Sequence, residues 1–247
     1  MVWAGLRAGL TDLILPAGCV GCRRTGLPLR QGACADCAAT LRALRPRPVR
    51  PTPPPSGLPP CVALGAYRGV LREVLLSYKE RGRHGLARPL GILLAEVVAE
   101  AVGGPGPVVL VPVPATARAV RARHGDHLRR MTRHAAHRLR AAGWSVMVSR
   151  PVMARSRPDS AGLDSASRVV TAASAFQPNP GRMAALRRVA PGRTVVLLDD
   201  IVTTGATLAA VSRLLTAAGV WVSAAALLAA TERWPSVNRN SRVRWQS

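Results

Sequence analysis

Lysine is nearly missing from this 247-residue chain: Lys79 stands alone among 35 cationic side chains, and every other one is arginine. Acids are scarce as well, 12 Asp and Glu together, which leaves a formal charge of +23. Aromatic residues make up only 3%, with Trp3, Trp144, Trp221, Trp234 and Trp245 scattered, so no base-stacking platform is evident. The charge-free run Leu214 to Thr231 is interrupted by Thr216, Gly219 and Ser223, so no membrane span is read from it. Arg7 and Asp12 break the apolar start, no export signal is recognised, and the expected compartment is the cytoplasm. Two phosphate motifs are excluded: Glu80 follows the only lysine, so there is no Gly-x4-Gly-Lys-Ser/Thr, and no Gly-x-Gly-x-x-Gly follows a strand. The lack of an internal repeat removes solenoids and propellers.

What the chain does contain is 48% apolar residues, enough for one or two real cores. The preference for Arg over Lys matches G+C-rich codon usage, a hypothesis the gene's codons would test, but it does not account for the shortage of acids. The surviving excess sets up a field attractive to phosphate, on a nucleic acid or a small ligand. It is densest from Arg118 to Arg157, where eleven arginines face a single acid, Asp126.

Four regions follow from the pattern. Residues 1–45 hold a short amphipathic helix (Leu6, Leu10, Leu13, Ile14) and a cysteine-rich module. Residues 46–60 carry eight prolines and read as an extended linker. Residues 61–231 alternate strands (62–67, 108–113, 144–148, 194–198, 220–228) with helices (70–80, 86–102, 126–142, 206–218), which predicts an α/β fold with a parallel sheet covered on both faces. Residues 232–247 read as a disordered basic tail.

Cys19-x2-Cys22 and Cys34-x2-Cys37 form two knuckles separated by eleven residues. Each knuckle lets two thiolates converge on one tetrahedral ion, and the pair closes a structural zinc site with no open position. Two disulfides are the alternative, disfavoured by the absence of an export signal. So short a module cannot build its own core, and metal binding would supply most of its folding free energy. Cys61 is left over at a strand start and reads as a small buried hydrophobe.

The segment from Thr194 to Leu208 carries the chemistry. An apolar strand runs into Asp199 and Asp200, then Ile201 and Val202, a Thr203-Thr204-Gly205 turn, and a helix opening with Ala206 and Thr207. In an open α/β sheet ligands sit at the carboxyl ends of strands. The N–H groups of 203–207 suit a phosphate at a helix start. The two acids would repel that phosphate; they suit hydroxyls and, directly or through water, magnesium. Monophosphate and vicinal diol together describe a ribose 5-phosphate. A plainer reading is that the acids end a strand and cap a helix, which accounts for one Asp but not two.

The thirteen residues Val196 to Leu208 resemble the phosphoribosyl-pyrophosphate (PRPP) fingerprint of type I phosphoribosyltransferases. The whole chain, over roughly residues 10 to 230, resembles the competence protein F (ComF) family, which joins a four-cysteine zinc module to such a domain. Leu110-Val111-Pro112-Val113-Pro114 is similar to that family's Val-Pro-Val-Pro strand end, where related enzymes place a pyrophosphate loop. Arg121 and Arg123 match an Arg-x-Arg pair, and Arg155, Leu163, Arg168 and Phe176 match spaced family positions. The chain departs from the family at His124-Gly125-Asp126-His127, where many members read Gly-Phe-Asn-Gln, and at Ser160 and Thr171.

The resemblance implies displacement of pyrophosphate from C1 of PRPP by a nitrogen nucleophile. In that reaction Asp199 and Asp200 would hold the ribose hydroxyls, Arg121 and Arg123 would close over the pyrophosphate, and magnesium would neutralise the leaving group. Val113 and Pro114, with residues 201–207, would complete the PRPP-binding set. The resemblance also implies a part in DNA uptake during natural transformation, with a DNA-uptake helicase as partner. The rival reading is a non-catalytic module holding single-stranded DNA through phosphate contacts. His124 with His127, or His134 with His137, have metal-ligand spacing but read better as neutral surface imidazoles.

Overall fold

The computed structural model describes residues 18–122, 125–155 and 175–231. The expected first helix, the C-terminal tail, Arg123, His124, Ser160, Leu163, Arg168 and Thr171 lie outside them.

The cysteine region carries one short helix, α1 (Ala35–Ala43), opened by Cys34. The chain then runs through an edge strand β1 (Arg47–Val49) into β2 (Cys61–Ala66). Helix α2 (Gly69–Glu80), a 3-10 turn (His84–Leu86) and α3 (Ala87–Val102) lead to β3 (Pro107–Pro112). Then come α4 (Ala117–Ala122), α5 (His127–Ala141) and β4 (Ser145–Val148). A small antiparallel pair, β5 (Val152–Ala154) and β6 (Phe176–Pro178), precedes α6 (Pro180–Val189). The chain ends in β7 (Thr194–Val202), α7 (Ala206–Ala217) and β8 (Ala224–Ala230).

Six strands form one sheet in the order β1-β2-β8-β7-β3-β4, parallel throughout except where β1 runs against β2. From β3 the chain winds outward to β4, then returns to β7 and winds the other way to β8. Right-handed crossovers therefore put α3 and α5 on one face and α7 on the other. The reversal leaves a crevice between the carboxyl ends of β3 and β7, the switch point where open sheets bind ligands.

Parallel strands are buried on both faces, which explains their unalternating composition: Val108 to Val111, Val195 to Leu198 and all of β8 are buried. The alanines of β8 have low strand propensity, so burial against neighbouring strands and α3 overrides local preference there. Gly91 permits the tightest helix approach: a Cβ at this position would stand 2.6 Å from the Cβ of His134 and 2.7 Å from the Met131 carbonyl on α5. Asp126 caps α5, its Oδ1 accepting the Arg129 N–H at 2.9 Å.

Three expectations change. The strand read as 194–198 continues to Val202, because Asp199 and Ile201 still pair with Leu227 and Ala229 of β8. The segment 46–60 is extended but joins the sheet through β1, and Arg213 Nη1 on α7 donates to the Ser56 carbonyl at 2.6 Å. His127 is not on the surface; it is 5% exposed, with its ring edge-on to Tyr78 at 4.9 Å. Helix α6 and the β5–β6 pair went unread because each is short and flanked by polar or proline-rich sequence. Among the described residues no helix is long and apolar enough to cross a membrane.

Candidate functional site

The four cysteines converge. Their sulfurs all lie within 4.8 Å of one another, with Cys22 Sγ and Cys34 Sγ 3.9 Å apart. A disulfide needs about 2.05 Å, and all five cysteines, Cys61 included, are free. A zinc–sulfur tetrahedron with bonds of about 2.3 Å has edges of about 3.8 Å, so the donor set fits a tetrahedral thiophilic ion such as zinc. The first knuckle is polarised toward thiolate. Burial pushes the Cys19 thiol up, but N–H groups of Cys22, Cys34 and Gly21 outweigh it and bring the pKa down to about 6. Arg24 donates to Cys22 and lowers it, whereas burial and the surrounding sulfurs raise Cys37. Three of the four sulfur-bearing residues are buried and no fifth ligand joins the cluster among the described residues, the pattern of a closed structural site.

This module is docked on α2. Ser77 Oγ donates to the Val20 carbonyl at 3.2 Å, and Arg23 reaches Glu73 at 2.6 Å. Gly21 lies so close that a Cβ would stand 2.8 Å from Cys37 Sγ and 2.9 Å from Val70. Cys61 is 4% exposed, its thiol donates to the Pro59 carbonyl, and burial pushes its pKa up to about 12, as befits an inert thiol.

The second site is at the switch point. Val113, just past β3, donates its N–H to the Leu198 carbonyl at 2.9 Å, so Val113 and Pro114 stand directly beside the acidic end of β7. Asp199 and Asp200 are half-buried on that strand with Ile201, and Val202 is buried. Thr203 and Thr204 are exposed, Gly205 is the N-cap of α7 at φ +75°, and Ala206 and Thr207 form its first turn. The N–H groups of that turn have no carbonyl four residues back to bond, which is the condition for anion binding at a helix start. One is partly engaged, Ala206 N with Thr204 Oγ1 at 3.4 Å.

Glycine at 205 is required twice over. The positive φ disfavours any side chain, and a Cβ would come within 3.0 Å of Leu58 and 3.1 Å of Pro51. The proline-rich segment therefore braces the turn from behind, a contact no local pattern announces.

The carboxyls are held unequally. Burial first, and the Asp200 charge second, push Asp199 up to about 8, against the opposing pull of the Asp200 N–H and Lys79. Asp200 N donates to Asp199 Oδ1 at 2.9 Å. Lys79 Nζ, from the last turn of α2, meets Asp200 Oδ2 at 2.6 Å, with side chains only 14% and 15% exposed. A second pair, Arg150 with Asp126 at 3.2 Å, joins the loop after β4 to the start of α5. Sequence reasoning missed Lys79; its rarity in an arginine-rich chain was the available signal.

Of the other expected residues, Arg121 is exposed in the last turn of α4. Arg155 stands just past β5 and Phe176 opens β6 opposite Ala154; Arg155 Nε donates to Gln177 Oε1 at 3.1 Å. His124 lies outside the described residues, so its pairing with His127 is not seen; among the described residues His134 and His137 belong to no cluster of three or more His, Cys, Asp or Glu placed to share a metal. His134 is half-buried, and burial with Arg133, Arg88 and His137 nearby lowers its pKa.

The parallel α/β sheet brings twin acids, a glycine-capped helix start and a proline-ended strand together at its switch point. Residues 94–243 match the model of the phosphoribosyl transferase domain. That is well over half of the chain, which therefore belongs to the phosphoribosyl transferase domain family. A search of the curated proteins found no significant match.

Proposed function

We propose that this protein is a phosphoribosyltransferase of the ComF type, which binds PRPP with magnesium and transfers its phosphoribosyl group to a nitrogen acceptor. The observation that carries the reading is the placement of Asp199 and Asp200, the Thr203–Thr207 turn and the Val113-Pro114 strand end together at the point where the strand order reverses. The turn's N–H groups take the 5-phosphate, and the carboxyls take the ribose hydroxyls. Val113 and Pro114 lie on the pyrophosphate side, and Arg121 with Arg123, the latter outside the described residues, would close over the pyrophosphate as the resemblance implies. Magnesium, carried with the pyrophosphate and reached by the acids directly or through water, supplies charge neutralisation of the leaving group.

In the reaction the nitrogen lone pair forms the new bond to C1 while the C1–O bond breaks, its electron pair departing with pyrophosphate; the nitrogen then loses a proton. The ribose ring is positively charged at the transition state, and the nearby carboxyls favour that charge. Zinc in the four-cysteine site has a structural role only.

Ligand binding is tested by melting. PRPP with magnesium at a hundred times its dissociation constant adds about 2.7 kcal/mol of stability to the parent, and Asp199→Ala with Asp200→Ala removes that gain. A parent that does not respond to PRPP sinks the reading. Turnover is read as pyrophosphate release against a panel of nitrogen bases.

The resemblance to the ComF family supports a place in DNA uptake beside a helicase, in the cytoplasm. The exposed arginines Arg129, Arg133 and Arg138 along α5, a helix without an acid, favour a second reading, contact with single-stranded DNA. Such binding weakens steeply with salt and survives the aspartate changes; a flat salt dependence counts against it.

A further inference from the structure

The ion pair between Lys79 and Asp200 lies inside the proposed sugar site, yet it comes from a helix far away in the chain. The end of α2 is held rigidly: Tyr78, fully buried, donates its hydroxyl to the His127 carbonyl at 2.8 Å and packs edge-on against that imidazole. Lys79 follows directly, so its ammonium is delivered to Asp200 from a fixed base.

We infer that Lys79 is a positioning residue of the phosphoribosyl site, holding Asp200 by Oδ2 alone and so presenting Oδ1 to a ribose hydroxyl. The inference rests on the phosphoribosyl reading above. Its argument is the chemistry of the two cations. An ammonium is a compact point charge that satisfies one carboxylate oxygen, at 2.6 Å here. A guanidinium is a planar fork able to grip both oxygens of a carboxylate at once, which here would draw Oδ1 as well as Oδ2 away from a ligand. The single lysine of this chain is the cation that meets Asp200. Asp199 is treated alike, with Oδ1 engaged by the Asp200 N–H. The two acids thereby keep one oxygen each for the two hydroxyls of a vicinal diol.

The test compares Lys79→Arg and Lys79→Met with the full-length parent. The probes are ribose 5-phosphate, its 2-deoxy and 3-deoxy counterparts, and inorganic phosphate, each titrated by calorimetry. The parent should prefer ribose 5-phosphate to at least one deoxy sugar by roughly tenfold, as befits one hydrogen bond to a charged group. Both substitutions should bring that ratio close to one while inorganic phosphate binds as before. Asp200→Asn should lose the same preference, so the comparison stands even if the methionine variant folds poorly. Lys79→Arg retaining the parent's ratio would show that charge alone suffices and overturns the inference, as does an equal loss for all four probes. A parent that binds none of the probes strikes instead at the phosphoribosyl reading, and the inference goes with it.

Discussion

The cysteine module and the switch-point crevice solve opposite problems. The first brings four like groups from a nineteen-residue stretch, Cys19 to Cys37, into one closed cluster whose sulfurs, among the described residues, face each other, neighbouring N–H groups and Arg24. The second gathers a helix end, two strand ends, a turn and a proline-rich brace from across the chain, and leaves an edge of it exposed at Thr203 and Thr204. A structural site is finished by its ion, whereas a ligand site must stay unfinished on the side where the ligand enters. The difference teaches where each is fragile: the module at its ligands, the crevice at its supports.

The largest effect should come from breaking the module. Cys34→Ser removes a ligand from a site whose metal, in isolated peptides of this kind, contributes about 10–16 kcal/mol of apparent binding. Metal analysis should fall from one zinc per chain to none, and the module should lose its docking on Ser77 and Glu73. Undamaged, reduced parent protein without zinc would end this account of the four cysteines.

Two glycines sharpen the comparison further. Gly205 and Gly26 both have positive φ, +75° and +71°, but a side chain at 26 meets nothing within 4 Å. Gly26→Ala should cost only the backbone strain, about 1–2 kcal/mol. Gly205→Ala should cost more in a denaturant melt, because Leu58 and Pro51 must also give way, and should weaken binding of ribose 5-phosphate. Equal costs would mean that the proline-rich segment does not brace the turn.

The pH dependence has opposite signs in the two regions. Asp199, raised to about 8, binds its proton more tightly in the folded than in the unfolded chain, so its contribution to stability falls as pH rises from about 4 to about 8. Asp199→Asn should remove that decline. Glu73, which pins the module, is nudged upward by partial burial, but Arg23 and Arg81 outweigh this and hold its pKa below the ordinary value. Its contribution is present above about pH 4 and is lost as acid protonates it. Exposed arginine partners make that term modest. Melting temperatures across pH for Asp199→Asn and Glu73→Gln, each against the parent, measure the two trends; parallel shifts would refute the contrast.

Much was legible beforehand because its causes are local. The apolar runs at 108–113 and 194–198 announced buried parallel strands, Asp126 announced a helix start, and the Cys-x2-Cys spacing announced converging sulfurs. The continuation of β7 through two carboxylates was not legible, since an acid pair looks like a strand terminator until a neighbouring strand supplies hydrogen-bond partners. Nor was the burial of His127, which depends on Tyr78 from another helix.

Sequence alone determined the types of the longer elements, the cysteine knuckles and the acid-turn-helix segment, because each is set by residue chemistry at short range. Only the tertiary structure decided that Lys79 holds Asp200, that Pro51 and Leu58 back Gly205, and that β3 and β7 lie side by side at the point where the winding reverses. Those are meetings of residues remote in the chain, and the packing of the whole sheet, rather than any local preference, brings them about.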